Sequence, residues 1–366
     1  MAILTTLIKR FTAPALPQPT NEYDQRYFDK FNSILRLYFN QLDQLLGQIV
    51  SGTGTVPVSI DGTNTDAFGR IRVSQPYTLF DSQSRYESDP QFDTSTATGG
   101  STTYLPNEAS VQMSVTTASG SEVVRQSYRS FPYQPGKGLL LLATFDMNAA
   151  KTGLRQRVGY FGTQNGVFLQ QNDSTISFVL RSYISGAVSD ARTVNKADWN
   201  GDKLDGTGNS GYTLDLDKAQ ILWMDFEWLG VGSVRCGFVI NGEYIVCHTF
   251  TNANEITSVY MTTAILPVRY EITNTAVTAS ASSLKQICSS VISEGGYEQY
   301  SFGHVARRTT AFATIGTTFL PLVSIRLKST RLGAVVLPQR VQVLPTTNQN
   351  YEVALVKNPT LTGASW

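Results

Sequence analysis

Apolar residues recur at intervals of three and four over one stretch of the chain, and at intervals of two over most of the rest. In "YDQRYFDKFNSILRLYFNQLDQLLGQIV", Phe28, Phe31, Leu35, Tyr38, Leu42, Leu45 and Ile49 follow the a/d heptad spacing for three heptads. Tyr27, Ile34, Phe39 and Leu46 widen the stripe. The spacing predicts a coiled-coil-like helix over 21–50 whose seam is wider than a two-stranded coil needs, and hence a homotrimer. Residues 1–20 cannot continue that helix. Pro14, Pro17 and Pro19 favour an extended arm, and Ile3, Leu4, Leu7, Ile8 and Phe11 give it an apolar face that needs a dock. "SGTGTVPVSIDGTNTD" begins a Gly/Thr-rich hinge and collar over 51–76.

From Tyr77 the pattern changes to strands. "VLRSYISG", "ILWMDFEWLG" and "TSVYMTTAILPVRYEIT" are rich in β-branched and aromatic residues. Asn241-Gly242, between "VRCGFVI" and "EYIVCHTF", is a two-residue hairpin signal. Further turns fall at Asn165-Gly166 and at Asn172-Asp173-Ser174. Strands of this spacing predict an antiparallel β-sandwich or jelly roll over 77–300. "HVARRTTAFA", "FLPLVSIRLK", "GAVVLPQRVQVLP" and "YEVALVKNP" predict a smaller β module over 301–366. The expected fold class is therefore mainly β, with one N-terminal helix and an extended arm.

Composition narrows the function. Charged residues are only 16% of the chain and the net charge is +1, which leaves no overall basic field for nucleic acid. Mean hydropathy is −0.12, and no run of about 18 apolar residues offers a membrane span. The N-terminus has its charges after the apolar run, unlike a secretory signal, so synthesis in a host cytoplasm is expected. Three cysteines are too few for a disulfide framework; Cys236 and Cys247 could meet across a hairpin but read as buried free thiols.

Candidate chemistry is sparse. "GTGNSG" (206–211) matches GxGxxG in letters only, because no strand precedes it and no helix start follows. Asp198, Asn200 and Asp202, with Asp205 beyond, have calcium-loop spacing, but Lys203 and Asn209 stand where the loop needs Gly and Glu; Asx turns explain the same residues. Asp225 and Glu227 alternate onto one strand face with Trp223, as a glycosidase pair could, although a hydrogen-bonded sheet face is the simpler reading. Only His248 and His304 are available for a catalytic triad, and nothing singles out its serine. No catalytic residue, metal or cofactor is expected.

"AFGRIRVSQPYTLFDSQSRY", "GYFGTQNGVFLQQ", "FVLRSYISG", "DFEWLGVGSVRCGFVINGE" and "NPTLTGASW" carry a resemblance over residues 66–366. The chain resembles virion structural proteins, fibre-like or capsid-associated, of cyanophage-like tailed phages. That resemblance implies a place in the virion and contacts with capsid, portal or tail components. It brings no catalytic residues. In this setting the arm becomes the particle anchor and the helix the trimer seam. The 66–90 phrase becomes a collar, with Gly69 for the turn and Arg70 and Arg72 on one face. The expected function is a non-enzymatic head or tail fibre or capsid decoration protein. Two alternatives stand beside it: an adhesin binding a host-surface glycan, and a capsule-degrading glycosidase.

Overall fold

The structure is a computed structural model. It describes residues 25–50, 76–298, 303–310, 316–328, 336–345, 350–357 and 359–361, with helix side chains described to Asn40. The arm residues Ile3, Leu4, Leu7, Ile8 and Phe11, the collar residues Gly69, Arg70 and Arg72, and the side chains of Leu42, Leu45 and Ile49 lie outside the described residues. The chain divides into two compact units, Met1–Asp61 and Gly62–Trp366.

In the first unit the heptad segment is one helix, α1 (Gln25–Val50). Tyr27 stacks on Phe31 one turn later, with ring centroids 6.2 Å apart, as i,i+4 neighbours do. Phe28, Leu37 and Phe39 stay 45%, 61% and 57% exposed, and Phe31, Leu35 and Tyr38 are half-buried.

The second unit holds a two-sheet antiparallel sandwich of fifteen strands. One sheet has the order β13 (Glu243–Phe250), β12 (Val234–Ile240), β11 (Gln220–Phe226), β6 (Gly138–Asp146), β15 (Ser282–Glu294), β4 (Ser110–Val115), β3 (Ser101–Leu105); β1 (Pro76–Gln83) also pairs with β15. The other runs β10 (Ser189–Asn195), β9 (Thr175–Ser182), β8 (Gly166–Asn172), β7 (Leu154–Phe161), β14 (Val268–Asn274), β5 (Glu122–Ser127), β2 (Phe92–Ala97). Connections between β4 and β5, β6 and β7, β10 and β11, and β13 and β14 each cross from sheet to sheet.

The local chemistry explains this layout. Asn241 and Gly242 both have positive φ (52° and 83°), the type I′ geometry that joins β12 to β13 at Ile240↔Glu243. Asp173 (φ 53°) and Ser174 turn β8 into β9. β15 is long enough for β4 to pair with its first half and β1 with its second. A bulge between Thr78 and Phe80 buries Leu79 and Phe80 consecutively, which strict alternation would forbid. A second bulge, between Gln286 and Ser289, resets β15 so that Leu284 and Val291 both reach the core. The core is aromatic-rich: Phe131, Tyr160 and Phe226 pack in sequence, and Trp199 stacks on Phe178 at 4.6 Å.

One polar group ties the sheets together. Arg125 on β5 is 3% exposed and lies over Phe92. Its Nε donates to Gln286 of the opposite sheet, and its Nη2 to Ser88 Oγ (3.0 Å) and Asp89 O (3.1 Å). The "SRYESDP" end of the collar phrase is therefore held by a buried arginine.

The C-terminal expectation needs correcting for the single chain. The patterning of 301–366 predicts strands, yet among the described residues from 303 onward no strand forms. Amphipathic strands need a second layer over their apolar face. Val305, Ile325, Val341 and Leu355 have none and are 90%, 62%, 75% and 97% exposed.

Candidate functional site

The outer face of the second sheet carries the densest charge cluster among the described residues. Side chains alternate along each strand. Val158, Tyr160, Leu169, Phe178 and Tyr270 fill the core, so Arg155, Arg157 and Phe161 of β7, Phe168 and Gln170 of β8, Val179 and Arg181 of β9, and Arg269 and Glu271 of β14 face the other way. Phe161, Phe168 and Val179 form a separate small apolar cluster there. Arginines roof it. Arg157 and Arg181 each lie 5.1 Å from the Phe168 centroid, and Arg269 lies 5.4 Å from that of Phe161.

Two carboxylates are shared among four guanidiniums. Glu271, 3% exposed, accepts from Arg155 (3.2 Å), Arg157 (3.3 Å) and Arg269 (2.8 Å). Arg181 makes a two-pronged pair with Asp190, both contacts 2.8 Å, and Arg157 reaches Asp190 at 3.9 Å. Gln170 and Gln126 accept from Arg157 (2.8 Å) and Arg269 (3.2 Å). Burial alone would raise the Glu271 carboxyl, but Arg269, Arg157 and Arg155 outweigh it and hold it below the usual range. The hydrogen bond from Arg181 does the same for Asp190. Desolvation brings Arg157 down to about 10. Four positive charges face two negative ones, and Arg155 Nε is buried without an acceptor. The face thus has charge and a donor to spare for an anion.

A second recess, about 330 Å³, lies where the sheet edges β10 and β13 meet, lined by Arg192, Asn200, His248 and Phe250 among others. His248 is 7% exposed and stands edge-on to Phe250 at 4.5 Å. The Asn200 backbone N–H points at its Nδ1 (3.4 Å). Burial, and secondly Arg192, lower the imidazole to about 4, so it is neutral here.

The residues singled out in the sequence take other roles. Trp223 and Asp225 lie on the outer face of the first sheet, because Leu222, Met224 and Phe226 fill the core. Asp225 pairs with Arg235 directly across the β11–β12 ladder. Glu227 falls beyond the end of β11, and its carbonyl accepts from Tyr260 Oη (3.1 Å). Asn200 spends its amide on Thr249 of the β13 edge, at 2.8 and 2.9 Å. Asp202 caps Leu204 N and Ser210 N (both 2.8 Å), and Asp205 caps Thr207 N (2.9 Å). Those are turn-forming contacts within 200–211, and "GTGNSG" is the loop they hold. Cys236 and Cys247 are buried free thiols.

Sequence reading missed Arg155, Arg157, Arg181, Asp190, Arg269 and Glu271. The available signal was "LRQRVGYF" and "VRYEIT": charges at alternate positions inside apolar runs, on strands whose other face is fully buried.

No known family profile matches the sequence, and no curated protein does. Among solved structures, a protein of unknown function from Shewanella oneidensis MR-1 aligns with a TM-score of 0.37 at 10% identity, over 62% of this chain and 91% of that one. The Emp47p carbohydrate recognition domain gives 0.35 at 13% identity, over 59% and 94%. The binding domain of botulinum neurotoxin serotype C1 gives 0.36 at 10%, over 60% of this chain and 49% of that one. At such values the sandwich rests on its own strand pairing rather than on these likenesses.

Proposed function

We propose that this chain is a non-enzymatic structural component of a virus particle, a head or tail fibre or a capsid decoration protein. In this reading it trimerises through α1, anchors by its N-terminal arm and displays the sandwich outward. Sequence resemblance supplies the virion setting. The observation that carries the assembly role is the apolar stripe of α1, with Phe28, Leu37 and Phe39 at the surface. A lone chain leaves that stripe in water, whereas a seam between copies covers it. The test is light scattering on the Leu35→Asp/Leu42→Asp double variant. Unpaired carboxylates in a dry seam are strongly disfavoured, so a smaller species than wild type is expected. An unchanged mass sinks the seam.

A glycan-binding role for the sandwich is the second reading, and the arginine face favours it. Its surplus positive charge selects an acidic sugar carrying carboxylate or sulfate. Calorimetric titration with acidic and matched neutral oligosaccharides should give binding only for the acidic ones, weakening with salt. Equal affinity for both, or none for either, removes this reading. A glycosidase pair at Asp225 and Glu227 draws less support, because Asp225 is fully buried against Arg235.

A further inference from the structure

We infer that the segment 316–357 of one copy of this chain completes itself as β-strands on a second copy. The inference rests on the self-associating reading above and adds the partner and the surface.

The first ground is pattern against burial. In "VSIRLK", Val323, Ile325 and Leu327 alternate with Ser324, Arg326 and Lys328; in "RVQV", Val341 and Val343 alternate with Arg340 and Gln342. "YEVALVK" places Tyr351, Val353 and Leu355 on one face. Each stretch is a strand with one apolar side, yet each is extended without a ladder, and its apolar side chains are 37–97% exposed. Backbone groups and an apolar face both left to water mark an incomplete structure.

The second ground is charge. Residues 301–366 carry seven Lys and Arg (307, 308, 326, 328, 331, 340, 357) against one acid, Glu352. The sandwich, residues 76–298, carries 15 basic residues against 21 acidic ones. The near-neutral whole therefore hides a tail of +6 and a sandwich of −6. Such halves attract and fix an orientation. Within one chain that attraction is barely used. Lys357 lies 4.1 Å from the Tyr128 ring centroid, while the apolar faces of the tail remain uncovered. A neighbouring copy offers the same acidic surface and a second tail for strand pairing, so it can bury both the basic and the apolar face. This is a heterologous contact, which closes if the copies form a ring.

The experiment uses the full chain, wild type and Leu35→Asp/Leu42→Asp, above and below its association concentration. Hydrogen exchange is followed in peptides spanning 316–328 and 336–345. In parallel, ¹⁴N and ¹⁵N copies are mixed, annealed and joined by a zero-length carbodiimide linker between Lys328 or Lys357 and sandwich carboxylates. Slowing by about tenfold or more in the assembled state, with mixed-isotope links, is the expected result. Links confined to one isotope mean that the tail docks on its own sandwich, and overturn the inference. So does an assembled wild type whose tail exchanges as fast as in the monomer. A helix variant that still assembles with a protected tail removes the α1 seam and leaves the tail exchange standing.

Discussion

Replacing Glu271 with Gln should destabilise the sandwich by about 3–5 kcal/mol, the usual cost of breaking a buried ion pair from one side. Gln keeps the shape and removes the charge. Arg155, Arg157 and Arg269, all within 3.3 Å of the present carboxylate, would then face one another without it. They cannot retreat into water freely, because Arg157 and Arg269 lie over Phe168 and Phe161. For a domain of this size each kcal/mol shifts Tm by roughly 2–4 °C, so a fall of about 6–20 °C is expected by calorimetry. Removing a guanidinium as well, in Glu271→Gln/Arg157→Met, should recover part of the loss, since the two sites are directly coupled. A single-variant change under about 1 kcal/mol would mean that the face is solvated and the network is incidental. The wild type should show the same carboxylate in its acid response. Its folded pKa is depressed, so its contribution is complete above the ordinary carboxylate value of about 4.3 and is lost as pH falls through the lower folded value.

The strands were legible where local chemistry decides them. Asn241-Gly242 demands positive φ at both positions, and only one hairpin geometry answers. The helix was legible for the same reason: seven apolar positions at heptad spacing have no strand reading. Sheet order was not legible. β15 sits between β6 and the β4/β1 pair, contacts that span most of the sandwich in sequence, and no local signal encodes such pairing. The 301–366 patterning was readable as strands but not as strands lacking a partner, because periodicity reports which face is apolar and is silent on what covers it.

The arginine face was hidden by the same limit. Arg155 and Arg157 look like the solvated side of an edge strand. Only the pairing of β7 with β14 sets them opposite Glu271, and only β8 puts Phe168 beneath them. Asp225 and Glu227 drew the eye because carboxylates two apart suit known chemistry. The cross-strand arginine that explains Asp225 lies ten residues away, at a position fixed by hairpin register. Charge asymmetry is a different case. A tail of +6 and a sandwich of −6 can be counted directly, once the sandwich boundary at Glu294 is known.

Between pH 6.5 and 4 the folded protein should lose about 3 kcal/mol of stability through one side chain, His248. The imidazole is neutral in the fold because burial, reinforced by Arg192, lowers it to about 4, while an unfolded chain holds it near 6.5. Protons therefore favour the unfolded state throughout that window. The contribution is whole above about 6.5, declines as pH falls, and is gone below the folded value. Local geometry agrees, since protonating Nδ1 would set a donor against the Asn200 N–H and a cation against Arg192 in the β10–β13 recess. The assignment is clean because the chain has only two histidines and the other, His304, is exposed in the tail. His248→Asn keeps an acceptor and removes the titration. Urea midpoints measured at steps from pH 7.5 to 4.5 should slope downward for the wild type and run nearly level for the variant. Parallel slopes would show that the imidazole is free to charge in the fold, and that the acid sensitivity belongs to the carboxylates alone.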